Sequence, residues 1–247
     1  MSVSAVIFDW GGTLTPWHDI DHDTMWLAIC APHSATTHSA TTHSATTHGD
    51  TTPGDAGAAA RMAASLRSAE IRLWENAERE HRSATLDELL SLAGVQPTEA
   101  FFDSYFEAWE PHTFTDPDAP DVLRELRRRG IKIGVLSNTM WPRTQHERIF
   151  DRDGVLGLID GAVYSSEIPW TKPHPEAFQA AMAAVGVTEP AECVFVGDRP
   201  FDDVHGARGA GMRTVLVPNS AVPTFADAEP DAIIERLAEL PGLIENW

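Results

Sequence analysis

Val6-Ile-Phe-Asp-Trp-Gly-Gly-Thr-Leu14 is the stretch on which the fold turns. A short apolar run, Ala5–Phe8, stops at the carboxylate Asp9 and gives way to the glycine pair Gly11-Gly12. A continuous apolar run suits a strand covered on both faces, and the glycines mark a tight turn at its end. Four later runs share this character: Ile131–Ser137, Gly161–Tyr164, Cys193–Gly197 and Arg213–Val217. Helical periodicities lie among them at Asp121–Arg129, Pro175–Val185 and Asp203–Ala210, with Gly130 and Gly186 placed to end two of these helices. Strand alternating with helix predicts an α/β fold, a doubly wound parallel sheet, built from residues 1–15 and 115–247.

Residues 16–114 carry no strand signal and read as a helical insertion between the first two strands. Met62, Leu66, Leu73 and Trp74 fall at helical spacings within 58–81, Thr85-Leu-Asp-Glu88 resembles a capping box, and a third helix is expected at Thr98–Glu110. Pro111–Pro120 reads as the hinge back to the sheet. Inside the insertion, His-Ser-Ala-Thr-Thr repeats three times over 33–47 and His48 follows. A five-residue period converges the histidines on neither a helix nor a strand, so this low-complexity tract at 33–48 is expected to be solvated coil rather than a metal site.

The whole chain has 247 residues, 43% hydrophobic and 22% charged, which fits a globular protein. Its net charge of −19 repels a phosphate backbone and disfavours nucleic acid as a partner. No apolar stretch reaches the roughly 20 residues that cross a bilayer, and the N-terminus lacks the basic region of a signal peptide. Only two cysteines, Cys30 and Cys193, are present, so a reducing, cytoplasmic location is expected, with no membrane partner.

Ligands of a doubly wound sheet bind beyond the carboxyl ends of its strands. Asp9 stands there, as do Ser137-Asn-Thr139 and the acidic run Gly197-Asp-Arg-Pro-Phe-Asp-Asp203. A hydroxyl with free backbone N–H groups suits an anionic oxygen. Clustered carboxylates from Asp9, Asp198, Asp202 and Asp203 need a cation, and hard oxygen donors select Mg²⁺. Of two lysines, Lys132 lies in a strand, while Lys172 opens a helix in Thr171-Lys-Pro-His-Pro175. Asp202 reads as a solvated surface acid, and His174 and His205 as chemically silent.

In this order the segments resemble the haloacid dehalogenase superfamily of phosphatases and related enzymes. Val6–Leu14 is similar to its nucleophile motif, Val135-Leu-Ser-Asn138 to its second, Lys172-Pro to its third, and Gly197-Asp198 through Asp203-Val-His-Gly-Ala207 to its fourth. The insertion matches the position of the family's helical (C1-type) cap. The resemblance implies a Rossmann-like core and a Mg²⁺-dependent hydrolase of a small phosphorylated metabolite. It implies that Asp9 attacks phosphorus to form an aspartyl-phosphate that water hydrolyses. It further implies Mg²⁺ on Asp9, the Gly11 carbonyl and Asp198, with Asp203 in or just behind the coordination sphere. Gly12, Ser137, Asn138 and Lys172 are the implied phosphoryl contacts.

Family phosphatases carry a second Asp two residues after the nucleophile as general acid and base; here that residue is Gly11. The insertion contains no lysine for the Schiff base of the carbon–phosphorus-cleaving branch, and the acidic pair Asp198/Asp203 argues against the metal-free dehalogenase branch. Three readings stay open: a phosphatase with a good leaving group or a cap-supplied acid (His18, Asp19, Asp21, His22 or Asp23), a phosphoryl transferase, or a non-catalytic binder of phosphometabolites. Trp17, Trp26 and Trp141 are candidate substrate contacts or core residues. The sequence does not specify an oligomeric state.

Overall fold

The computed structural model describes residues 2–33, 53–218, 223 and 225–247. Six parallel strands form one sheet: β1 (Ala5–Phe8), β2 (Lys132–Ser137), β3 (Gly161–Tyr164), β4 (Cys193–Gly197), β5 (Arg213–Leu216) and β6 (Ala232–Ile233). Their spatial order is β3-β2-β1-β4-β5-β6. The chain runs outward from β1 to β3, then returns to the other side of β1 to lay down β4. That reversal opens a crevice beyond the carboxyl ends of β1 and β4, where a doubly wound sheet binds its ligand. Asp9 and Asp198 are the first residues past those two ends, and the Asp9 N–H donates to the Val196 carbonyl at 2.8 Å.

Successive strand side chains point to opposite faces, and both faces are covered. Val6, Phe8, Val135 and Val196 pack on α5 (Ala119–Arg128) and α9 (Leu240–Ile244) through Val122, Leu123, Leu126, Leu240 and Ile244. Ala5, Ile7, Leu136 and Phe195 pack on α7 (Pro175–Val185) through Phe178, Ala181, Met182 and Val185. The start of α7 follows from its sequence: Pro175 pre-sets the first turn, and the His174 ring accepts the Glu176 N–H. Gly186 stops it with φ 74°, and the Val187 N–H returns to the Met182 carbonyl at 3.0 Å. The strand and helix expectations are met here within a residue or two.

The remaining helices are α1 (His22–Cys30), α2 (Pro53–Glu80), α3 (Leu86–Ala93), α4 (Glu99–Trp109), α6 (Arg143–Arg152) and the short α8 (Gly206–Gly209). A single π-turn over Pro200–His205 precedes α8, so the helix expected from Asp203 starts earlier and is wound differently. The chain divides into a larger unit, Met1–His18, Ala77–Thr85 and His112–Trp247, and a smaller one, Asp19–Asn76 and Leu86–Pro111. Residues 77–85, expected with the insertion, therefore go with the sheet. The reason is a short antiparallel pairing: Thr171 N–H donates to His81 O at 2.9 Å and Ser83 N–H to Pro169 O at 3.2 Å.

The smaller unit is helical, and it encloses a carboxylate among apolar side chains such as Ile29, Leu66, Leu89, Leu90 and Phe101. Glu70 is 4% exposed and accepts from Trp26 Nε1 and Arg67 Nη1, both at 2.9 Å. Burial alone lifts its pKa, but bonds from His22, Trp26 and Arg67 outweigh that and hold it below the usual range. Trp26 is therefore core, whereas Trp74, expected on the apolar stripe, is exposed. The histidine tract lies outside the described residues apart from His33, whose ring meets Ser104 Oγ at 3.1 Å. Among the described residues no helix is long and apolar enough to cross a membrane.

Candidate active site

Three acidic side chains converge where the strand order reverses. Asp9, Asp198 and Asp203 each offer a carboxylate oxygen, and these atoms lie within 4.8 Å of one another. All three are buried, at 5%, 1% and 0% exposure. Lys172 Nζ sits 2.7 Å from both Asp9 Oδ1 and Asp203 Oδ1. One lysine cannot balance three enclosed carboxylates. Burial, then Asp9 and Asp203, push the Asp198 pKa up, and burial likewise raises that of Asp203 against the pull of Lys172. Burial works against the Lys172 charge, but Asp203 and Asp9 outweigh it and keep the ammonium protonated. The donor set, all hard oxygen and two positive charges short, fits a divalent cation such as Mg²⁺.

Each group is held by the chain around it. The Asp203 carboxylate also accepts the Arg199 N–H at 2.8 Å, across the π-turn. Asn138 grips the Lys172 backbone from both sides, its Nδ2 donating to Lys172 O at 3.0 Å and its Oδ1 accepting from Lys172 N–H at 2.8 Å. The amide expected to contact a ligand is thus engaged with Lys172. Ser137, 2% exposed, ends β2 between Asn138 and the sheet. Gly12 has φ 89°, and a Cβ there would fall 2.3 Å from Asp198 Oδ2. Only glycine permits that approach. Its N–H donates to Thr15 O at 2.7 Å, so the residue shapes the site by its missing side chain.

Gly11 behaves differently. It forms an isolated bridge with Thr15, its φ is not in the left-handed region, and a Cβ built there meets no atom within 4 Å. The missing carboxylate at this position is a matter of sequence and not of space.

Some neighbours were not legible beforehand. His146, fully buried, is flanked by Trp10 at 4.6 Å, Tyr164 at 4.4 Å and Trp141 at 5.7 Å between ring centroids. It packs edge-on against Trp10, the residue after Asp9. Burial, aided by Arg143, drops its pKa to about 3. Asp202, expected in solvent, is partly enclosed, and burial raises its pKa against the pull of Arg199. Arg199 itself feels the whole cluster: burial opposes its charge, while Asp202, Asp9, Asp198 and Asp203 favour it. His174 stacks on Trp170 at 4.0 Å and His205 on Phe201 at 5.5 Å between ring centroids.

A family model described as haloacid dehalogenase-like hydrolase matches residues 3–211. A phosphoserine phosphatase of Thermus thermophilus is 34% identical over 64% of this chain and 63% of its own length. A glyceraldehyde 3-phosphate phosphatase of Methanopyrus kandleri is 34% identical over 60% of the chain and 62% of its own. The chain thus spans about three fifths of the length of these relatives. Among solved structures, a HAD phosphatase from Thermococcus onnurineus superposes with TM-score 0.66 at 21% identity, over 98% of both chains. An L-2-haloacid dehalogenase from Xanthobacter autotrophicus superposes with TM-score 0.62, also at 21% identity and over 98% of both. These two share the fold with each other's chemistry unshared, so the assignment rests on the family match, which takes in β1, β4 and every carboxylate of the cluster. The chain belongs to the haloacid dehalogenase-like hydrolase family.

Proposed function

We propose that this chain is a Mg²⁺-dependent phosphatase of small phosphorylated metabolites that works through an aspartyl-phosphate on Asp9. The observation that carries the reading is the enclosed Asp9 carboxylate, 2.7 Å from Lys172 Nζ and grouped with Asp198 and Asp203 at the strand ends. Similarity to phosphatases of the family supports it. Asp9, the Gly11 carbonyl and Asp198 would hold the cation, and Asp203 would close the acidic wall while fixing Lys172. When bound, Mg²⁺ supplies charge neutralisation that lets two anions meet.

The remaining steps belong to the side chains. Lys172 orients the Asp9 carboxylate, and it draws phosphoryl oxygens toward the nucleophile. The Ser137 hydroxyl donates to another of those oxygens. Asp9 Oδ attacks phosphorus as the ester oxygen leaves with the electron pair of the P–O bond; water then splits the acyl phosphate and regenerates Asp9. Asn138 acts by fixing the Lys172 main chain. On this reading the helical insertion is, by its place in the sequence, the family's C1-type cap. Gly11 leaves both proton transfers without the usual carboxylate, which favours substrates with acidic leaving groups. It also keeps phosphoryl transfer to another acceptor, or binding without turnover, as the second reading.

A panel of phosphorylated metabolites assayed with Mg²⁺ tests the proposal. Phosphate release that stops in excess chelator and in Asp9→Asn is the expected result. Transfer to an added alcohol without phosphate release, or tight binding with neither, would select the second reading.

A further inference from the structure

We propose that Arg199 is a specificity-determining residue that receives a second anionic group, carboxylate or phosphate, on the substrate's leaving group. The inference rests on the phosphatase reading and narrows its substrate class to phosphate monoesters with another negative charge.

Two cations serve the cluster, and they are placed differently. Lys172 is enclosed and already engaged by Asp9 and Asp203. Arg199 follows Asp198 directly and has extended backbone, φ −99° and ψ 112°. Neighbouring side chains of an extended segment point to opposite sides, so Asp198 turns inward at 1% exposure while the Arg199 side chain is 43% exposed. Its backbone is pinned by the Asp203 carboxylate at 2.8 Å. The nearest acid, Asp202 Oδ2, lies 3.7 Å from Nη1, beyond hydrogen-bond distance, so the guanidinium fork keeps donors to offer.

Trp17 stands beside the guanidinium. It is 44% exposed, and the guanidinium carbon lies 5.9 Å from its ring centroid. An aromatic wall limits where the fork can point without neutralising it. In a chain of net charge −19, a half-exposed arginine one residue beyond a cluster carboxylate is a local reversal of the field. The transferring phosphoryl is already provided for by Lys172, Ser137 and the cation. What the fork matches, by its geometry, is a further planar or tetrahedral oxyanion outside that pocket.

Three substrates of similar size separate the possibilities: ethyl phosphate, phosphoglycolate and propane-1,3-diol bisphosphate, assayed with Mg²⁺ on wild type, Arg199→Gln and Arg199→Lys. Wild type should prefer one or both of the doubly anionic substrates in kcat/KM. In Arg199→Gln the charged-to-uncharged ratio should fall by about tenfold to a hundredfold, the range for a charge-assisted hydrogen bond, with partial recovery in Arg199→Lys. Preference for phosphoglycolate over the bisphosphate, or the reverse, identifies which anion is taken. Loss of equal size on all three substrates, or no wild-type preference, overturns the proposal while leaving the phosphatase reading intact. Absence of phosphate release from all three by wild type overturns both.

Discussion

Gly11→Asp restores the carboxylate that this chain lacks, and the structure sets its outcome. The backbone tolerates the change, because φ at Gly11 is outside the left-handed region and a Cβ meets nothing within 4 Å. General acid–base catalysis is worth about 10²–10⁴ in rate, or roughly 3–5 kcal/mol at about 1.4 kcal/mol per decade. The open space also means that no neighbour orients the new side chain, and preorganisation is what secures the full effect. The expected gain is therefore at or below the lower end of that range, about tenfold to a hundredfold, in both leaving-group departure and acyl-phosphate hydrolysis. Rapid-quench kinetics would show it. Wild type should give a burst of leaving group from an aryl phosphate followed by slow phosphate release, and the variant should shorten the slow phase and raise the low wild-type rate on alkyl phosphates. Fast wild-type turnover of alkyl phosphates with no burst, or a folded Gly11→Asp with unchanged rates in both steps, would refute the reasoning.

Three further outcomes follow from the same geometry. Gly12→Ala should lose stability by roughly 1–2 kcal/mol from the left-handed backbone alone and should lower Mg²⁺ affinity, since its Cβ would displace Asp198; calorimetric titration with Mg²⁺ and chemical denaturation check both. Lys172→Met leaves Asp9 and Asp203 buried without their cation, and urea denaturation without Mg²⁺ should show a loss of about 3–5 kcal/mol; a loss under about 1 kcal/mol would contradict the electrostatic account. His146 has a folded pKa near 3 against about 6.5 unfolded, so the unfolded chain binds the extra proton and stability falls as pH drops from 6.5 toward 3. Between pH 7.5 and pH 5 that contribution is roughly 2 kcal/mol; His146→Phe should flatten the measured pH dependence by that amount, and parallel curves would show that His146 does not carry it.

The sheet and the carboxylate cluster were legible because both are written in short, contiguous signals. β1 and β4 are unbroken apolar runs, and a doubly wound sheet with ends at Asp9 and Asp198 brings those residues together whatever lies between. What escaped has physical causes. β6 is two residues long, pairing with β5 at the sheet edge, too short for periodicity to show. Half of α6 is charged, and its buried face consists of His146, Ile149 and Phe150, with a histidine standing where an apolar residue would have announced the stripe. α1 hides behind Asp21, which reads as one acid among several until its carboxylate is seen accepting the Asp23 and Thr24 N–H groups. The placement of 77–85 with the sheet depends on a bridge between Arg82 and Trp170, a contact across 88 positions that no local pattern encodes. Asn138 and Asp202 were misplaced for one reason: a polar residue in a ligand-binding layer reads as a ligand contact or a surface group, while its partner, a backbone amide or an arginine, is set by the fold.

On the proposed mechanism Asp9 becomes phosphorylated. The direct measurement is mass spectrometry of enzyme acid-quenched during turnover of an aryl phosphate with Mg²⁺, followed by peptide mapping. A phosphoryl adduct on the peptide carrying Asp9, discharged by hydroxylamine and absent in Asp9→Asn, is the predicted result. Steady phosphate release with no adduct on that peptide, or an adduct on another residue that persists in Asp9→Asn, would contradict the account.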